Sequence, residues 1–358
     1  MNVISVVMLV FTIAGALDYL TGNHLGIGKE FERGIHMIGT MILSMVGMIV
    51  LAPLIAALIE PVLMAISEKI PFFEPSVIAG SLLANDMGGA PLAMELARTD
   101  SAGYFNGLVV GSMMGATISF SLPLALGITV PEQKNRIMLG LMCGIAAIPV
   151  GCIVSGILLG TSLADLAMSV VPLMIFSVLL TIGLLKIPLV CVKIFNGFGV
   201  IIKTLIVIGL LVGIAEFALG FDIPYTAPVE EGVMVCFNAT AIMTGAFPLL
   251  ALLSKLIKKP MRRISERVGM NEVSALGFVS TLATNVTTFG MMRDMDDKGV
   301  VLNSAFAVSA AFVFAGHLAF TMSFNETYVL PVIAGKLVAG ICALAIAQFV
   351  HTKISHNA

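Results

Sequence analysis

Apolar positions run along this chain in long uninterrupted stretches, with polar and charged residues gathered between them. Nine stretches stand out, at roughly 3–20, 35–59, 104–127, 137–160, 165–185, 199–219, 231–254, 300–322 and 328–350. A hydrocarbon core of ~30 Å takes ~20 helical residues, so each predicts a membrane-spanning helix; a buried helix of a soluble domain is usually shorter. Two further segments, 76–97 and 271–292, are apolar arms on either side of a polar tip. The first tip is Asn85-Asp86-Met87-Gly88-Gly89 and the second Thr284-Asn285-Val286-Thr287-Thr288. Each tip divides its segment into two arms of roughly ten residues.

Order along the chain then repeats. Two helices, an interrupted segment and two more helices occur twice, with the 165–185 helix left over. Leu83-Ala84 before the first tip matches Leu282-Ala283 before the second, and Asn106 in the helix that follows matches Asn303. The expected fold is an all-α polytopic membrane protein of two inverted repeats of about five elements, each with a re-entrant or broken helix, plus a connector helix. The divisions are a first repeat at 1–163, a connector and linker at 164–198, and a second repeat at 199–358.

Lys and Arg placement separates two geometries for the interrupted segments. If both cross the membrane, six loop cations (Lys29, Arg33, Arg98, Arg293, Lys298 and Lys353) lie opposite the basic stretch Lys255 to Arg267; if both dip in and return, only Lys69 and Arg98 do. The positive-inside rule favours the second. A single kinked helix of 22 residues would also reach across, so both geometries remain open. In either, non-helical backbone at mid-depth is tolerated only where protein buries it or where it lines a wet cavity.

Composition agrees with a lipid solvent: 58% of residues are apolar and 11% charged, and the mean hydropathy is +1.06. A net charge of -2 implies no nucleic-acid surface. The five cysteines form no C-x-x-C pair and read as packing residues, with no metal and no disulfide framework. Phosphate-binding, zinc-protease, nucleophile-elbow and dinucleotide motifs are absent, so neither catalytic residues nor a cofactor are expected.

The candidate site lies between the tips. Asp86 is its strongest member, since a carboxylate at a helix centre costs ~2.5–3.5 kcal/mol on insertion scales and is rarely kept there without a task. Asn85, Asn106, Thr284, Asn285, Thr287, Thr288 and Asn303 supply amides and hydroxyls. A carboxylate on one tip and neutral donors and acceptors on the other suit a small solute with an ammonium at one end and a hydroxyl at the other. The bland readings are an Asp N-cap at the first tip, hairpin self-capping at the second and interhelical glue for the two asparagines. Glu95 and Glu216 are expected at interfacial depth, and Asp18 at a helix end. His317 is expected to pack against a carbonyl, and Lys336 to snorkel or pair with an acid.

The run Leu83-Ala84-Asn85-Asp86-Met87-Gly88-Gly89-Ala90-Pro91-Leu92 resembles the ethanolamine permeases of bacterial ethanolamine-utilisation operons. So do Leu282-Ala283-Thr284-Asn285, Met291-Met292-Arg293-Asp294-Met295 and the start Met1 to Gly22. The resemblance runs nearly end to end. It implies ethanolamine import across the bacterial cytoplasmic membrane by a multi-pass protein, with ethanolamine and the lipid bilayer as partners; it assigns no site residues. A nucleoside or another small polar solute, with or without H⁺ or Na⁺ coupling, is the alternative, and a homo-oligomer stays open. Choline would call for an aromatic cage, for which a chain with no Trp and four Tyr is poorly stocked.

Overall fold

The computed structural model describes residues 3–70, 73–83, 87–128 and 130–357. Helices account for the regular structure among these residues, and eight of them are long and apolar enough to cross a membrane. The chain is a multi-pass membrane protein.

Helix α1 (Val3–Leu20) turns into α2 (Gly28–Lys69), a continuous helix that widens into a π turn at Ile42–Val46. The link is organised by Asp18, only 4% exposed, whose carboxylate accepts from the backbone amides of Leu25 (2.8 Å), Ile27 (2.9 Å) and Gly28 (2.8 Å). It satisfies amides at the start of α2 that have no partner within the helix. The first interrupted segment follows as α3 (Ser76–Ile78, continuing through a π turn at Ala79–Leu83) and α4 (Ala90–Leu96). Then come α5 (Asp100–Ile128), α6 (Lys134–Leu158), α7 (Leu163–Lys186) and α8 (Pro188–Leu219). Pro188 opens α8, and Gly220, at φ +69°, closes it in the left-handed conformation that glycine adopts without strain.

Helix α9 (Val229–Val268) leads to α10 (Glu272–Ala283) and α11 (Asn285–Met291), the second interrupted segment. After these the structure departs from the expected span at 300–322. There the chain forms two helices, α12 (Asp297–Ala310) and α13 (Gly316–Phe324), separated by an unwound turn, before α14 (Val329–Asn357). The break is made by another segment's backbone: the Phe312 and Phe314 amides donate to the carbonyls of Thr281 and Leu282 at the end of α10, both at 3.1 Å. Phe312 takes φ +61°, a left-handed conformation costly for a bulky residue, which these bonds hold in place.

Both interrupted segments fold back on themselves. In the second, the Thr288 hydroxyl lies 3.1 Å from the Gly277 carbonyl and 2.9 Å from the Thr281 hydroxyl. Eleven residues along a straight helix would separate Thr288 from Gly277 by about 16 Å. Its mouth is closed by Asp296, which accepts from the backbone amides of Asn271 and Gly299 and from the Ser274 hydroxyl. The first hairpin is closed the same way by Glu74, which is buried and accepts from the Ser76 hydroxyl (2.9 Å) and the Arg98 amide (3.2 Å).

Helices α5 and α12 form the centre. Every residue from Phe105 to Gly115 is buried, as is every residue from Gly299 to Ala310. They meet where the Thr117 hydroxyl lies 3.1 Å from the Val308 carbonyl. Close approach depends on small residues: a Cβ on Gly140 of α6 would collide with the Val301 carbonyl, so any larger residue there would force α6 away from α12.

Candidate functional site

A chamber of about 90 Å³ lies beside the two breaks of the second half. On one side stand Ala283 and Thr284, at the end of α10, and Phe312, Ala315 and Gly316, at the unwound turn. On the other, α2 contributes Arg33 and a stripe of Met37, Met41 and Met45, while α9 contributes Met243 and Phe247. The methionines fall four residues apart and so share a helix face. Two helices, α10 and α12, end at the breaks that border this space. The C-terminal end of a helix carries partial negative charge, a setting that favours a cation; at α10 the Thr281 and Leu282 carbonyls are already taken by the Phe312 and Phe314 amides, so the attraction there is that of the helix dipole.

Next to the chamber is a more open vestibule of about 330 Å³, lined among others by Glu30, Ser254, Ser280 and Thr287. Arg33, Phe247, Ala283 and Thr284 border both spaces. The vestibule sits at the end of the molecule that carries the basic stretch, since Ser254 precedes Lys255, whose ammonium donates to the Leu25 carbonyl at 2.6 Å.

Thr284, in extended backbone with its hydroxyl accepting from the Val286 amide, faces the chamber, and Thr287 faces the vestibule. Asn285 is fully buried, and its side-chain amide donates to the Ser121 hydroxyl of α5 at 2.7 Å; its carbonyl oxygen has no partner among the described residues. Thr288 bonds within its own hairpin. Asn106 donates to Ser76 (2.8 Å) and to Ser169 (3.0 Å), and Asn303 to the carbonyls of Ser274 (2.8 Å) and Gly299 (3.0 Å). Each asparagine thus ties the entry arm of its hairpin to the helix that follows. Asn85 and Asp86 lie outside the described residues.

The remaining titratable groups also have definite places. Glu95 is exposed. Glu216 closes the α8–α9 turn, accepting from the Ile223 amide and the Thr226 hydroxyl, both at 2.7 Å. The His317 ring stands 5.1 Å from that of Phe312, beside the break. Lys336 departs from the expectation of snorkelling or pairing with an acid. It is fully buried and donates to the Ser112 carbonyl at 2.5 Å, and no carboxylate among the described residues lies within ion-pair distance. Position 336 faces inward between α14 and α5, too deep for its four-carbon stem to reach water.

The unwound turn at Ala311–Ala315 carries no polar or proline signal, so its apolar sequence reads as helix. Phe247, Phe312 and Arg33 likewise escape a search guided by polar tips. The legible traces of the chamber wall are Thr284 in the second tip and the methionine spacing.

The family model described as "Ethanolamine utilisation protein, EutH" matches residues 1–350. A protein of Listeria monocytogenes serotype 1/2a (strain 10403S) named "Probable ethanolamine permease EutH" is 39% identical over 354 residues, covering 99% of this chain and 95% of its own. A protein of the same name from Salmonella typhimurium (strain LT2) is 38% identical over 356 residues, covering 92% of this chain and 86% of its own. "Uncharacterized protein YxeR" of Bacillus subtilis (strain 168) is 33% identical over 344 residues, covering 96% and 93%. No solved structure matches.

Proposed function

We infer the function of this chain from one premise, that it belongs to the EutH family of ethanolamine utilisation proteins. It is a permease rather than an enzyme, and ethanolamine is its solute. We further propose a secondary permease that takes up the protonated amino alcohol across the cytoplasmic membrane, with the solute held in the chamber at the breaks. The observation that carries this reading is a small, largely apolar space beside the ends of α10 and α12. The ammonium is served by the negative ends of the α10 and α12 dipoles and by the faces of Phe247 and Phe312, and the hydroxyl by Thr284. Asp86, with Asn85, supplies the counter-charge from the first hairpin. Thr287 serves the solute on its way through the vestibule, while Asn106, Asn285, Thr288 and Asn303 hold the hairpins that carry the site.

An inverted repeat is part of the proposal, and matched contacts support it. Helix α1 packs on α9 as α8 packs on α2, while α6 and α14, the last helices of the two halves, pack on each other. Ser76 with Asn106 is mirrored by Ser274 with Asn303. In this arrangement α7 is the connector. A nucleoside is the alternative solute, and competition for uptake separates the two.

Uptake of labelled ethanolamine by proteoliposomes, with unlabelled choline and nucleosides as competitors, tests the reading. Excess ethanolamine alone should abolish uptake of the label. The free base crosses lipid unaided, so the gain from the permease over bare liposomes should grow as pH falls and that form becomes scarce. A gain independent of pH between mildly acidic and mildly alkaline buffer would contradict transport of the protonated species.

A further inference from the structure

The chamber and the vestibule share a border at which an aromatic ring carries a cation. Arg33 stacks on Phe247 with its guanidinium carbon 4.9 Å from the ring centroid, and its Nη1 lies 3.3 Å from Glu30 Oε2. The ring is 6% exposed, whereas the arginine side chain is about half exposed, at 52%. The ring is therefore the fixed partner and the guanidinium the movable one. The ring's position is set by a close approach of α2 and α9: a Cβ on Gly34 would lie 2.7 Å from the Thr244 Cα, one turn before Phe247. The neighbouring residue, Arg33, is thereby carried over the ring.

This placement is odd for a protein that admits a cation, because a permanent positive charge at the entrance repels its solute. It makes sense if the two cations use the same face in turn. On the basis of the permease reading, we propose that the face of Phe247 is a cation subsite on the path between vestibule and chamber, occupied by Arg33 when no solute is present and by the solute's primary ammonium in transit. Glu30 holds the guanidinium when the ring is taken, so neither charge is left without a partner. The ring quadrupole attracts ammonium and guanidinium alike, and a neutral solute gains nothing from the exchange. The pair thus selects for charge at the mouth, and the chamber selects for size.

The exchange makes opposite predictions for its two partners, which a purely structural contact would not. In proteoliposome uptake of ethanolamine, Phe247→Leu keeps the bulk and removes the quadrupole, and KM should rise about tenfold. Arg33→Gln, on an exposed helix face where folding is not at risk, removes the competitor, and KM should fall about threefold. Phe247→Tyr should behave as wild type. An unchanged or raised KM in Arg33→Gln overturns the proposal even if Phe247→Leu fails to fold, and so does an unchanged KM in a folded Phe247→Leu. Wild-type protein that takes up no ethanolamine overturns the permease reading itself and this subsite with it.

Discussion

Replacing Gly316 by leucine should abolish ethanolamine uptake while leaving the protein folded. Gly316 begins α13 and borders the chamber, and a Cβ built on it meets no atom within 4 Å. The added side chain therefore enters open space rather than neighbouring backbone, and leucine is a better helix former than glycine. A leucine side chain projects into this small space and competes with the solute for it. Uptake at the level of protein-free liposomes, with wild-type thermal unfolding and a monodisperse elution profile, is the expected pair of results. Retained uptake with a wild-type KM would place the solute elsewhere.

Asp86→Asn should be nearly as damaging. Within the first tip Met87 is 1% exposed, and in the arm that follows Ala90, Leu92 and Ala93 are fully enclosed. A Cβ on Gly107 of α5 would lie 2.9 Å from the Ala90 Cα, so the returning arm is held tightly against the central helix. A carboxylate kept within an apolar segment needs a partner, and a transported ammonium is one. Removing the negative member of that pair should lower transport efficiency at least about thirtyfold, with the amide preserving side-chain shape. The measurement is kcat/KM for uptake by the variant in proteoliposomes, with insertion checked by protease protection. Wild-type efficiency would remove Asp86 from the site.

What can be read from the sequence follows from where the signal resides. Spanning helices are written in composition, since lipid demands about twenty apolar residues in a row, and 231–254 lies within α9 as 137–160 largely matches α6. The tip at Thr284 is written in side chains, because hydroxyls and an amide interrupt an apolar segment, and the structure places an extended residue there. The break at Ala311–Ala315 is written in neither. Its residues are apolar, and the helix gives way because amides of Phe312 and Phe314 find acceptors on a hairpin about thirty residues earlier. Such a break belongs to tertiary structure, and local pattern reads through it.

The same distinction explains the polar residues. Asn106 and Asn303 stand out in the sequence as matching positions, and they occupy matching roles, each joining a hairpin arm to the next helix. Glu74 and Asp296 close the hairpins, yet nothing in their local sequence separates them from ordinary loop acids. Lys336 escapes its expectation because snorkelling depends on which way a helix faces. Position 336 faces the crowded centre, where the Ser112 carbonyl is its acceptor.

The central claim, that the solute rests against the break at Thr284, is tested most directly by chemical protection. Thr284→Cys places a thiol on the chamber wall, and 2-aminoethyl methanethiosulfonate, itself a small primary ammonium, should label it. Four of the five native cysteines are buried, and wild-type protein serves as the blank for the fifth. Saturating ethanolamine should slow labelling of the introduced thiol severalfold, with choline and nucleosides leaving the rate unchanged. A labelling rate that ethanolamine does not alter, in protein that still transports it, would contradict the account.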